Sequence, residues 1–162
     1  MPPIISVVGN SNSGKTTLIE KLIPELKKRG YRIGVIKHAH HGFTIDKEGK
    51  DSWRHKVAGA DAVMVSSPGK IALVKDVSDE SLDSLNPYVA DLDLIITEGY
   101  KREDKPKIEV FRKSIHPTPV CTSKDHLIAM VTDSDIDVNV PKFDLNAVEL
   151  IVDLIEKRFL KS

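Results

Sequence analysis

Two periodicities alternate along the chain. Ile4-Ile5-Ser6-Val7-Val8 is β-branched and nearly continuous in its apolar character, as suits a strand covered on both faces. A Gly/Asn/Ser loop follows from Gly9 to Gly14. From Lys15 the apolar residues Leu18, Ile19, Leu22, Ile23 and Leu26 recur at helical spacing, Lys27, Lys28 and Arg29 fill the last turn, and Gly30 offers a C-cap. Pro24 is expected to bend this helix without ending it.

Residues 32–38 read as the next strand, completing a strand-helix-strand unit long enough for parallel pairing. A polar loop runs to about Lys50, a short helix covers 51–59 and a strand covers 62–65. Ser67-Pro68-Gly69-Lys70 then turns the chain into an antiparallel strand over 71–74. A helical stretch is predicted near 81–90, with Pro87 inside it, followed by strands at 92–97, 108–111 and 127–131. The last element is an amphipathic helix from Asn146 to about Phe159, N-capped by Asp144 or Leu145, with Val148, Ile151, Val152, Ile155 and Phe159 on its apolar face. Such alternation implies an α/β sandwich whose ligands sit outside the carboxyl ends of the strands.

At 162 residues, 40% apolar and 30% charged, the chain is sized for a single domain, 1–162, and no apolar run reaches the ~18 residues of a spanning helix. Lys plus Arg equal Asp plus Glu at 24 each, which argues against a phosphate-gripping nucleic-acid binder. Membrane partners are likewise not expected. The single cysteine, Cys121, has no pairing partner within the chain and reads as an unreactive thiol. The N-terminus Met-Pro-Pro-Ile-Ile lacks the basic stretch and long apolar core of a signal peptide, so the cytoplasm is the expected compartment.

Gly9-Asn10-Ser11-Asn12-Ser13-Gly14-Lys15-Thr16 fits G-x-x-x-x-G-K-[ST] at every position, between a β-branched strand and an amphipathic helix. The glycines let several amides converge at the positive end of the helix, where polyphosphate replaces water. Lys15 can reach the β- and γ-phosphate oxygens, and the Thr16 hydroxyl is placed to hold Mg²⁺. With Thr17 in the same helical turn, Gly9, Asn10, Ser11, Asn12, Ser13, Gly14, Lys15 and Thr16 form the expected nucleotide cradle. The motif implies a three-layer P-loop NTPase-type sandwich with a mostly parallel sheet and an antiparallel hairpin extension.

Such a site needs an acidic group at the end of a neighbouring buried strand. Leu94-Ile95-Ile96-Thr97-Glu98-Gly99 supplies Glu98, expected to hold the metal or orient water, and Gly99, expected to let the backbone approach the γ-phosphate. Lys37-His38-Ala39-His40-His41-Gly42-Phe43-Thr44-Ile45-Asp46 adds Lys37 as a phosphate contact and Asp46 as a second carboxylate for Mg²⁺. Catalytic roles therefore fall to Lys15, Glu98 and Asp46, and metal binding to Thr16, Glu98 and Asp46. The histidines could instead hold zinc, although no cysteine or established ligand spacing accompanies them. In Gly49-Lys50-Asp51-Ser52-Trp53-Arg54-His55, Arg54 and His55 could meet an anionic substrate or simply line a solvated face.

These segments, with Thr97-Glu98-Gly99-Tyr100-Lys101 and Pro106-Lys107-Ile108-Glu109-Val110, resemble the molybdopterin-guanine dinucleotide biosynthesis protein B (MobB) family from about Ile4 to Thr132-Asp133. The resemblance implies a GTP-binding, weakly hydrolysing adapter that assists the guanylyltransferase attaching GMP to molybdopterin, together with molybdopterin-handling enzymes. It also implies a homodimer, for which the strand over 71–74 could extend a sheet between subunits. Guanine readers often carry Asn-Lys-x-Asp after a late strand. Here Thr132-Asp133-Ser134-Asp135 places Asp135 at the reading position and Asp133 where lysine is usual, Thr122-Ser123-Lys124-Asp125 competes out of register, and two acidic turns without base contact are the third possibility.

Two other readings use the same loop. A small-molecule or nucleotide kinase needs cationic groups over the transferring phosphoryl, yet between Asp79 and Ala129 the only arginines are Arg102 and Arg112. A nucleotide-bound assembly or metallochaperone module would use the histidine-rich loop. The zero net charge is itself a cancellation: residues 21–56 hold ten Lys/Arg against four Asp/Glu, and residues 76–104 hold two against nine. The basic segment suits polyphosphate and an anionic pterin; the acidic one could face a partner.

Overall fold

In chain order the elements are β1 (Ile4–Val8), α1 (Lys15–Lys28), β2 (Ile33–Lys37), α2 (Asp51–Val57), β3 (Ala62–Ser67), β4 (Lys70–Lys75), β5 (Leu94–Glu98), β6 (Lys107–Phe111), β7 (Leu127–Thr132), β8 (Lys142–Phe143) and α3 (Val148–Ile155). A 3₁₀ turn lies at Asn86–Tyr88 and a π turn at Glu156–Leu160. The structure is a computed structural model and describes residues 1–39, 42–122 and 124–161. Two compact units divide the chain, Met1–His38 with Asn86–Ser162, and Ala39–Leu85.

The first unit is built on a six-stranded sheet of order β2-β5-β1-β6-β7-β8 in which every neighbouring pair is parallel. β1 is buried along its whole length, as its continuous apolar run requires. Ile5 and Val7, with Leu94, Ile96, Ile108 and Val110 from the flanking strands, join one core with Leu22 and Leu26 of α1 and Ile151 and Ile155 of α3. Both helices therefore lie on one face. The chain leaves β1 toward β2 on one side, whereas β5 leads to β6 on the other, so the carboxyl end of β1 is a topological switch point.

The opposite face mixes polar and apolar side chains. Thr97 donates to the Ser6 hydroxyl at 2.9 Å, fully buried. Glu109, 0% exposed, accepts the amides of Val120 at 2.5 Å and Cys121 at 2.9 Å, which ties the irregular stretch after β6 down onto the sheet. A buried carboxylate held by two amides keeps its charge satisfied. Burial and the neighbouring Glu109 push the Cys121 thiol up to about 12, in keeping with the unreactive role expected for it.

The C-terminal element is clamped to α1. Buried Glu156 accepts from Lys161 at 2.9 Å, from Tyr31 at 2.9 Å and from Arg29 at 2.7 Å, and Arg29 also reaches Glu25 and Asp153. These bonds, with Lys161 the strongest influence, lower the Glu156 carboxyl to about 2.

In the second unit β3 and β4 pair antiparallel, closed by Ser67 opposite Lys70 across Pro68-Gly69, as the turn chemistry predicts. Both strands run longer than the apolar pattern suggests, and α2 ends at Val57.

Three expectations are corrected. The helix predicted near 81–90 does not form: Ser81 donates from amide and hydroxyl to Asp79, and the Ser84 hydroxyl donates to the carbonyls of Asp79 and Ser81, so these side chains satisfy the backbone in turns. The last helix starts at Val148 with Ala147 as N-cap, because Asp144 spends its carboxylate on the Asn146 amide at 2.8 Å in the preceding turn. Its C-terminal end passes into the π turn at Glu156. β8, two residues long, has no periodicity to reveal it.

Candidate phosphate-binding site

The loop after β1 leaves the sheet at Gly9, whose φ is +145°. A Cβ there would lie 2.4 Å from the Val110 carbonyl oxygen and 2.7 Å from Ser13 Oγ, so only glycine lets the loop lie this close to β6. Asn12 and Gly14 also take positive φ, which curls the loop into α1, and the α1 N-terminus has no side-chain cap. Its leading amides are thereby available to an anion. The Leu18 amide donates to the Gly14 carbonyl at 2.9 Å, the first bond of the helix.

Register sets the rest. Glu98 stands beside Val7 on one side and Lys37 on the other, so the ends of β1, β5 and β2 finish level. Thr16 donates to Glu98 Oε1 at 2.9 Å, and Lys37 Nζ lies 3.7 Å from the same oxygen. Lys15 donates to the Asn10 carbonyl at 2.7 Å. Burial and then the positive charge of Lys101 lower the Lys15 pKa, Lys37 adds to that and Glu98 opposes it. Lys37 and Lys101 therefore crowd positive charge around Lys15, with only Glu98 opposing it, an arrangement that polyphosphate relieves.

Gly99 follows at φ +100°, where a Cβ would approach His38 Cβ to 3.3 Å. Its amide donates to the Val7 carbonyl at 3.1 Å and so extends the β1–β5 ladder. Tyr100 is also left-handed, at φ +53°, and its ring stacks on His38 with centroids 4.5 Å apart. Sequence reasoning missed this stack and the influence of Lys101. The segment Thr97-Glu98-Gly99-Tyr100-Lys101 contains both residues, but no spacing rule points to either.

Of the predicted site residues, the first unit brings together Gly9, Asn10, Ser11, Asn12, Ser13, Gly14, Lys15, Thr16, Thr17, Lys37, Glu98 and Gly99 at the ends of three adjacent strands. Asp135 lies beyond the end of β7 with a fully exposed side chain, 3.8 Å from Lys142 Nζ. Its neighbour Asp133 is engaged by Arg112 at 2.9 Å. Asp125 accepts from the Thr122 amide and hydroxyl, closing a local turn. Asp46 belongs to the second unit, where it accepts the Lys47 amide at 2.9 Å. His40, His41 and Ser123 lie outside the described residues. Among the described residues no group of three or more His, Cys, Asp or Glu could hold a metal, and no helix is long and apolar enough to cross a membrane.

A glycine-bounded loop feeding a helix at the switch point of a parallel sheet, with a lysine and a threonine facing a carboxylate on the adjacent strand, defines a P-loop NTPase-type protein. A family model described as "Molybdopterin guanine dinucleotide synthesis protein B" (MobB) matches residues 4–133. The chain is 40% identical over 157 residues to the molybdopterin-guanine dinucleotide biosynthesis adapter protein of Haemophilus influenzae, covering 95% of this chain and 88% of that one. It is 39% identical over 161 residues to the protein of the same description from Escherichia coli, covering 96% and 92%. The crystal structure of Bacillus subtilis MobB is similar with a TM-score of 0.76 at 28% identity, over 94% of this chain and 97% of that chain. The chain belongs to the MobB family.

Proposed function

We propose that this chain is a GTP-binding adapter in molybdenum cofactor biosynthesis, assisting the formation of molybdopterin guanine dinucleotide from GTP and molybdopterin. The observation that carries the reading is the Thr16–Glu98 bond, with Lys15 and Lys37 beside it, at the mouth of the phosphate loop. Hydroxyl and carboxylate oxygens are the donors Mg²⁺ prefers, and this pair fits that ion. Thr16 and Glu98 would hold it. When bound, the metal neutralises phosphate charge. Lys15 and Lys37 bind phosphate oxygens, and the loop amides fix their position.

Hydrolysis is proposed to be slow. Glu98, the candidate for orienting water, is engaged by Thr16 and Lys37, and Arg112 is engaged by Asp133. Asp135 is the proposed guanine contact. The relatives' description as adapters supports guanylyltransferase and molybdopterin-handling enzymes as partners.

Homodimerisation through the hairpin and a cytoplasmic location complete the proposal. A two-stranded sheet is marginal alone, and this one exposes Met64, Val65 and Ile71 to solvent. Titration with GTP and with ATP in Mg²⁺, followed by capture of the guanylyltransferase, tests the reading: GTP preference with partner capture is expected, and ATP preference without capture moves it to a kinase.

A further inference from the structure

The turn after β5 contains a cation that the roles above leave unassigned. Gly99 and Tyr100 both take left-handed backbone, at φ +100° and +53°, so the chain folds back directly after Glu98. Tyr100, 8% exposed, stacks on His38 at the end of β2, and its carbonyl accepts the Glu103 amide at 3.2 Å. The far side of the turn is held by Lys107 of β6. This lysine is 3% exposed and donates to the Glu103 carbonyl at 2.7 Å and the Lys105 carbonyl at 3.4 Å. Backbone oxygens thereby offset the cost of burying an ammonium, and the turn is anchored at both ends.

Between these anchors stands Lys101, exposed, with no carboxylate paired to it among the described residues. It is three residues from Glu98, so their Cα atoms lie within about 11 Å of each other. Glu98 itself takes Thr16 at 2.9 Å and Lys37 at 3.7 Å. In lowering the Lys15 pKa, burial comes first and the charge of Lys101 second, ahead of Lys37. Lys101 is thus part of the same charge cluster. In a phosphate loop of this kind the amides cradle the inner phosphates and the motif lysine reaches the outer ones. A cation beside that lysine, at the strand end that bears Glu98, therefore meets the outer end of a polyphosphate.

We propose that Lys101 binds the terminal phosphate of the nucleoside triphosphate, presented by the turn that the Tyr100–His38 stack and Lys107 hold. The proposal rests on the nucleotide-binding reading above and adds a residue that favours triphosphate over diphosphate. A lysine on an unanchored loop would give up backbone as well as side-chain freedom on binding. Here the backbone is already ordered, and only the side chain pays that entropy.

Lys101→Met removes the charge and keeps an apolar stem, and Lys101→Arg keeps the charge. Calorimetric titration in Mg²⁺ is expected to find GTP affinity reduced about tenfold in Lys101→Met, as for a lost charged contact, and GDP affinity changed by less than about twofold. Lys101→Arg is expected to bind GTP more nearly as the wild type does. Unchanged GTP affinity in Lys101→Met, or an equal loss for GTP and GDP, overturns the proposal. In the nucleotide-free protein, NMR titration of isotope-labelled lysine is expected to find the Lys15 pKa higher in Lys101→Met than in the wild type. An unmoved Lys15 overturns the placement of Lys101 in the cluster. Wild-type protein that fails to bind GTP overturns the nucleotide reading and this proposal with it, whereas a wild type that binds beside an unaffected Lys101→Met overturns the role of Lys101 alone.

Discussion

The Thr16 hydroxyl, in the first turn of α1, donates to Glu98 Oε1 at the end of β5 across 2.9 Å, although 82 residues separate them in the chain. The bond joins the helix that begins the phosphate loop to the strand beside β1, and both groups are oxygen donors suited to one divalent cation. Glu98→Gln keeps an acceptor for Thr16 and removes the charge. The variant is expected to fold normally and to lose about tenfold or more of the gain in nucleotide affinity that Mg²⁺ confers, as fits a lost charged contact. Titrating Mg²⁺ at fixed nucleotide measures it, and an unchanged metal dependence contradicts a metal-holding Glu98.

Gly9→Ala tests the loop's approach to β6. The new Cβ would meet the backbone oxygen of Val110 at 2.4 Å with φ at +145°, and backbone cannot yield as a flexible side chain can. A loss of about 1–3 kcal/mol is expected in denaturant unfolding, with nucleotide binding impaired further. A variant as stable as the wild type would mean that the loop does not lie against β6.

The clamp at Glu156 predicts acid behaviour. Its carboxyl falls from an ordinary 4.5 to about 2 on folding, so the contribution is fully present above 4.5 and is lost as pH falls toward 2. Unfolding midpoints measured from pH 6 to pH 2 should therefore drop more steeply for the wild type than for Glu156→Gln, which carries no titrating group there. Parallel curves would show that Glu156 is not held by Lys161, Tyr31 and Arg29 in solution.

The exposed hairpin carries the dimer proposal. Ile71, 67% exposed and opposite Ser66, shares a face with Met64. Ile71→Asp places a charge where a second copy is proposed to pack, so sedimentation velocity should find the wild type dimeric and the variant monomeric. A monomeric wild type contradicts the proposal outright.

What could be read from sequence follows the range of the interactions. β1, the phosphate loop, α1 and the Glu98 strand are legible because a continuous apolar run, a glycine-bounded motif and a 3.6-residue stripe are local signals. The segment near 81–90 misleads because its apolar spacing competes with the Asp79, Ser81 and Ser84 side chains, which bond the backbone more cheaply than a helix around Pro87 would. Glu109 and Lys101 act on atoms brought near by pairing or by a loop, and Tyr100 owes its left-handed backbone to the turn after Glu98. The buried hydroxyl of Ser13, without a hydrogen-bond partner among the described residues, is likewise a property of the folded loop, invisible in a motif that leaves its position free.

Lys15 and Thr16 are proposed to bind a nucleoside triphosphate, with GTP the ligand. Calorimetric titration of the wild type, Lys15→Ala and Thr16→Ala with GTP in Mg²⁺ decides it. Binding by the wild type and its loss in both folded variants is the predicted result; equal GTP affinity in all three proteins would contradict that role.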